Sequence, residues 1–258
     1  MTAPLLEVKN LSVNYGDLSI VKDVSFCVDC GQWLMVTGPN GAGKSTVINA
    51  ISQGTAYDGS IFLDSKDIKK YKPAKLSQNV GVLSQSHFVS YSFTVGEVVR
   101  LGRYAHSSSI FKSSDIECEK YIEEALEITG MTELKNQSVL TLSGGELQRT
   151  FLAQLFAQNP RLLILDEPTN HLDLVYQKQI FALLSKWLSS GDRAIISVVH
   201  DLSLAKAYGT HALLLNKGRC AAFGTAQEVF TPENLNSAYS MNVYDWFSNM
   251  LSQWNIQE

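Results

Sequence analysis

The string Gly38-Pro39-Asn40-Gly41-Ala42-Gly43-Lys44-Ser45 joins conformationally free residues to one ammonium and one hydroxyl, with Thr46 following. Backbone N–H groups in such a G-x-x-x-x-G-K-S loop can wrap the β- and γ-phosphates of a nucleotide, Lys44 can meet their charge, and Ser45 can offer its hydroxyl to Mg2+. The same letters can also make a plain glycine-rich turn. Context favours the phosphate loop, because Leu34-Met35-Val36-Thr37 reads as a short buried strand and Ser45 to Ile51 as a helix, the strand–loop–helix order the motif requires.

A second string, Leu162-Leu163-Ile164-Leu165-Asp166-Glu167, is an apolar strand that ends in two carboxylates. This places charge at the carboxyl edge of a sheet, where ligands of α/β folds bind. Asp166 is then suited to Mg2+ through water, and Glu167 to polarising an attacking water. Without a phosphate loop, both acids would read as solvated. Upstream, Ser143-Gly144-Gly145-Glu146 stands directly before the helical run Leu147 to Ala157. It can be an ordinary helix cap or a helix N-terminus open to an anion.

The elements that must position these groups follow from the hydrophobic pattern. Residues 5–15 and 20–29 read as antiparallel strands around Tyr15-Gly16-Asp17, and 59–68 as a hairpin. From about 86 to 160 the chain reads mostly as helix, best patterned from Ser114 to Ile128. Beyond Leu162, strands at 162–165, 194–199 and 212–215 alternate with helices at 176–188 and 202–208, which implies a mainly parallel sheet. The chain has 258 residues, 45% of them hydrophobic, enough for one sizeable α/β domain. A net charge of -4 without a basic block argues against a nucleic-acid surface and against polybasic membrane docking. No apolar run approaches the roughly 20 residues of a membrane span, and the first residues do not read as a secretory signal, so a cytosolic location is expected. Of the four cysteines, Cys27 and Cys30 form a lone C-x-x-C that reads as ordinary thiols rather than a metal or redox pair.

Taken with its neighbours, Leu142-Ser143-Gly144-Gly145-Glu146 resembles the signature of the ABC transporter ATPase family, and the likeness covers almost the whole chain. The resemblance implies an α/β fold with a P-loop NTPase (ABC ATPase) core, an antiparallel β subdomain and an inserted α-helical subdomain at approximately 86–160 of a single 1–258 domain. It implies ATP and Mg2+, with hydrolysis as the activity. It makes Tyr15 the aromatic that stacks on adenine, although a strand tyrosine also suits a core. It makes Gln85 the sensor of Mg2+ and water, Asp173 in Asn170-His171-Leu172-Asp173 the acid of communication between subunits, and His200 the contact to the γ-phosphate. Ser143 to Glu146 would then close over nucleotide held by another copy, so that two chains sandwich two ATP molecules.

Thr94-Val95-Gly96-Glu97-Val98-Val99-Arg100-Leu101-Gly102-Arg103, His200 to Ala205 and Glu228-Val229-Phe230-Thr231-Pro232-Glu233 resemble the branch that drives iron–siderophore, haem and cobalamin import. Tyr104-Ala105-His106 and Tyr244-Asp245-Trp246-Phe247 depart from it. The branch implies integral membrane permeases, an extracytoplasmic binding protein reached indirectly, no nucleic acid, and a place on the cytoplasmic face of the membrane. Phe88 to Phe93 reads either as a seat for a permease helix or as packing within the helical subdomain. A soluble ABC ATPase acting on DNA or ribosomes is the competing class; it would bring long coiled coils or a second nucleotide domain. A switch without turnover is disfavoured by the intact Glu167 and His200.

Overall fold

In a computed structural model, residues 3–84, 92–106, 116–170, 172–189 and 191–254 are described. The chain opens with β1 (Leu6–Tyr15) and β2 (Leu18–Val28), joined antiparallel. In β1 the buried residues are Leu6, Val8, Leu11 and Val13, a period of two with one slip. A bulge absorbs that slip. Asn10 takes φ +52° and the register shifts between Val8 and Leu11, which keeps one face apolar throughout. With β4 (Asp58–Leu63) and β5 (Lys66–Asp67), these strands form an antiparallel sheet in the order β2-β1-β4-β5.

The second sheet has six strands. Its strands are β3 (Trp33–Thr37), β6 (Val80–Leu83), β7 (Leu162–Asp166), β8 (Ala194–Val198), β9 (His211–Asn216) and β10 (Arg219–Thr225), in the order β10-β9-β3-β8-β7-β6. All neighbours are parallel except the β10–β9 pair. Strands β3, β7 and β8 are buried along their full lengths, as largely apolar strands between two covered faces should be, and the buried hydroxyl of Ser197 in β8 accepts from Trp33 Nε1 at 2.9 Å.

Alternation divides each strand between two cores. Trp33, Met35, Leu163, Leu165 and Ile195 face one side, where α5 (Gly144–Gln158) and α6 (Leu174–Leu188) pack through Leu152, Phe156, Phe181 and Leu184. Leu34, Val36, Leu162, Ile164 and Ile196 face the other, against α1 (Lys44–Ile51) and the inner face of the antiparallel sheet. The sheet is therefore clamped on both faces, and its strand ends form a rigid rim.

Four-residue β6 escaped the sequence reading. It contains Gly81, whose absent Cβ would lie 2.9 Å from Leu163 and 3.0 Å from Pro160, so glycine there reflects close packing. Helix α2 (Pro73–Asn79) and the C-terminal α8 (Ala226–Val229), α9 (Pro232–Tyr239) and α10 (Val243–Ser252) were likewise not singled out. Between β6 and β7, the described residues form α3 (Val95–Leu101), α4 (Ile116–Thr129), α5 and short 3-10 turns. Val95, Val99, Ile122, Leu126 and Leu152 share the core of that region. Helix α7 (Leu202–Tyr208) has the bounds the sequence suggested, with Asp201 as its cap. Cys27 lies half-buried in β2, and burial pushes its thiol above the ordinary value, as expected of an inert cysteine. Among the described residues, no helix is long and apolar enough to cross a membrane.

Candidate nucleotide site

Strand β3 runs straight into the loop. Gly38, the first loop residue, has φ +140°, and a Cβ on it would sit 2.1 Å from the Leu215 carbonyl oxygen of β9; no other residue fits so close to the neighbouring backbone. Gly43, at φ +96°, ends the loop and is the N-cap of α1, which has no side-chain cap and no acid in its first turn. The positive end of α1 therefore opens onto the loop.

Lys44 is 6% exposed, and its Nζ donates to the carbonyl oxygens of Gly38 (2.8 Å) and Pro39 (3.0 Å). Burial pulls its ammonium below the ordinary value, while Glu167 and Asp166 oppose the shift. The lysine is thus folded back over its own loop, beside two acids. One residue on, Ser45 Oγ donates to Asp166 Oδ1 at 3.2 Å, joining positions 121 apart in sequence. Strand β7 delivers that carboxylate and β3 with α1 the hydroxyl.

Asp166 is buried, and desolvation raises its pKa above 3.8 against the counter-pull of Ser45, His200 and Lys44. A carboxyl raised in the folded state binds its proton more tightly there than in the unfolded chain. Keeping it ionised above that raised value therefore costs stability, and the cost vanishes as pH falls towards 3.8. Asp166→Asn should therefore raise the melting temperature of the nucleotide-free chain at neutral pH. The gain should shrink under acid, while hydrolysis is lost; thermal melts at pH 7 and pH 4 with a phosphate-release assay test this.

Glu167 turns the chain into the left-handed region at φ +54°, a conformation that costs a non-glycine residue about 1–2 kcal/mol. Its N–H donates to the Val198 carbonyl of β8 at 3.2 Å, and its own carbonyl accepts from Asn170 N–H at 3.1 Å. The carboxylate is gripped at both oxygens. His200 Nε2 donates to Oε1 at 2.6 Å, and Asn170 Nδ2 donates to Oε2 at 2.9 Å. A small cavity of about 150 Å³ lies between the β7 and β8 ends and includes Glu167, Asn170 and His200 in its lining.

The sequence places Asn170 in the loop that resembles the one by which paired subunits communicate, and nothing in it signals the contact with Glu167. Tyr15 ends β1 and is half-exposed on the hairpin. That hairpin leans on the loop through Ile20, whose carbonyl oxygen is 3.2 Å from the Cβ position of Gly43. Gln85, His171 and the stretch Phe88 to Tyr91 lie outside the described residues.

Ser143 is the N-cap of α5 in a complete capping box: Ser143 N–H and Oγ both donate to Glu146 Oε2 (2.8 and 2.7 Å), and Glu146 N–H donates back to Ser143 Oγ (3.4 Å). The backbone N–H of Ser143 holds the Glu146 carboxyl below the usual range. The cap of the sequence reading is formed, and Ser143 and Gly144 face solvent, with open space around the Cβ position of Gly144. Asp173 caps α6 by accepting from Tyr176 N–H at 3.0 Å.

A glycine-rich loop between a buried strand and a helix, a lysine folded into it and two acids at the carboxyl end of β7 place the chain among α/β proteins of the P-loop type. Residues 21–170 match the family model described as ABC transporter. The chain is 36% identical over 240 residues to an uncharacterized ABC transporter ATP-binding protein of Bacillus subtilis, a match that covers 92% of this chain and 54% of that one. It is 35% identical over 238 residues to the iron(3+)-hydroxamate import ATP-binding protein of the same organism, covering 92% and 88%. A solved metal-chelate type ABC transporter in an inward-facing conformation aligns with a TM-score of 0.81 at 26% identity, covering 93% of this chain and 90% of that one. The chain belongs to the ABC transporter family, as an ATP-binding subunit that hydrolyses ATP to power transport.

Proposed function

We propose that this chain powers import of a metal chelate of the iron–siderophore, haem or cobalamin kind, with the grip of Asn170 and His200 on Glu167 as the observation that carries the catalytic assignment. Gly38 to Thr46 hold the nucleotide phosphates, and Lys44 exchanges its carbonyl partners for phosphate oxygens. Ser45 and Asp166 present two hard oxygens 3.2 Å apart, a donor set that suits Mg2+. That ion, when bound, offsets the charge of the phosphates.

Glu167 accepts the proton of the attacking water, and His200 fixes the carboxylate and contacts the γ-phosphate. Gln85 completes the water and Mg2+ contacts by resemblance to the family, and Tyr15 stacks on adenine. Ser143 to Glu146 close over the nucleotide of a second copy, with Asp173 as the communicating acid. Two such chains sit on the cytoplasmic face of the membrane beneath integral permease subunits, with an extracytoplasmic binding protein beyond them and no nucleic acid involved.

The chelate assignment rests on the relatives named for iron(3+)-hydroxamate import and on the metal-chelate type transporter. Tagged in its own host, the chain should co-purify with a multi-span membrane protein and with transport of a metal chelate. Recovery on ribosomes or DNA, without a membrane partner, would overturn the reading.

A further inference from the structure

Tyr176, in the first turn of α6, has no part in the roles assigned above. Its ring lies against Gly145: a Cβ built on that glycine would come within 2.6 Å of Tyr176 Cδ1, 2.7 Å of Cε1 and 2.8 Å of Cγ. Gly145 is therefore bare because an aromatic ring occupies the space a side chain would need. On the far side of the contact, the backbone N–H of Tyr176 donates to Asp173 Oδ1 at 3.0 Å. One residue thus touches both the signature and the acid of the following loop.

Other bonds run beside it. Gln148 Nε2 donates to the Pro168 carbonyl at 2.7 Å, Arg149 Nη1 to Gln179 Oε1 at 3.1 Å, and the Arg149 guanidinium stands 5.6 Å from the centre of the Tyr176 ring. The first half of α5 is thus tied once to the turn that begins at Pro168, through Gln148, and otherwise to α6 itself, through the Gly145–Tyr176 contact and the Arg149–Gln179 bond. A flat ring packed on a glycine sets a spacing that a flexible polar contact would not.

We infer that Tyr176 is a positioning residue that locks Ser143–Gly145 and Asp173 into one rigid surface for presentation to the nucleotide of the partner copy. This rests on the shared-site reading proposed above. Loss of the ring should leave nucleotide binding to the chain's own loop untouched and impair closure over the partner's. Small misplacements of such groups are costly, on the order of tenfold to a hundredfold in rate.

The test uses the full chain carrying Glu167→Gln, with ATP-driven dimerisation followed by sedimentation and single-chain affinity by titration of a fluorescent ATP analogue. Adding Tyr176→Ala should raise the ATP concentration needed for dimerisation by about tenfold or more. The single-chain affinity should not move, and Tyr176→Phe, which keeps the ring, should dimerise like its parent. Equal dimerisation with Tyr176→Ala overturns the inference and leaves the shared site standing. So does a Tyr176→Phe chain as impaired as the alanine, or a parallel loss of single-chain affinity, which would mark a merely structural role. Failure of Glu167→Gln itself to dimerise overturns the shared site, and this inference with it.

Discussion

Glu167→Gln should bind ATP as the unaltered chain does and lose steady-state hydrolysis by about 10²- to 10⁴-fold, the usual contribution of a positioned general base. Shape is conserved in this exchange. The amide oxygen can still accept from one of the two donors that now grip the carboxylate, His200 Nε2 or Asn170 Nδ2, and the backbone turn at φ +54° is unaffected. Only the capacity to take a proton disappears. In the proposed cycle nucleotide closes the dimer and hydrolysis opens it, so the variant should accumulate as an ATP-bound dimer. Phosphate release and size-exclusion chromatography with ATP read both effects, and turnover at the unaltered rate would remove Glu167 from its role.

The second large effect lies at Lys44. Its ammonium is the cation bonded into the phosphate loop, held by the carbonyls of Gly38 and Pro39 while Asp166 and Glu167 draw on it from the strand ends. Because the lysine gives up its carbonyl bonds to meet phosphate, Lys44→Ala should cost nucleotide binding the net worth of about one charge-assisted hydrogen bond, roughly 1.5–3 kcal/mol. Nucleotide affinity should therefore fall on the order of tenfold to a hundredfold, with hydrolysis falling further. The fold should persist, because the aliphatic core around Val47, Ile48 and Ile51 is untouched.

What could be read in the sequence was what chemistry concentrates locally. Gly38 to Ser45 is contiguous, so its strand, loop and helix were all visible, and the apolar run ending in Asp166-Glu167 located a strand end. The 3.2 Å meeting of Ser45 with Asp166 was reachable only by reasoning that both lie at the carboxyl edge of one sheet. Asn170 gave no signal, because its partnership with Glu167 depends on a left-handed turn at Glu167 that residue type does not advertise. Strand β6 was too short, and too interrupted by Gly81, for a period of two to emerge. Tyr176 looked like any aromatic on a helix, since only the fold brings it against Gly145. The C-terminal helices α9 and α10 are capped by Thr231 and Asn242, signals that were present but overshadowed by the family-like strings around them.

If the phosphate loop of one chain works with the signature of another, two chains defective in different halves of the site should rescue each other when mixed. One chain carries Lys44→Ala. The other carries Gly144→Asp, which sets a carboxylate where the Cβ position has open space and so repels a partner's phosphates without disturbing its own helix. Each alone should be inactive, yet a mixed dimer contains one intact loop facing one intact signature. Hydrolysis should therefore return on mixing. Silence from a mixture shown to contain mixed dimers, or full activity from Gly144→Asp alone, would rule out a site shared between chains.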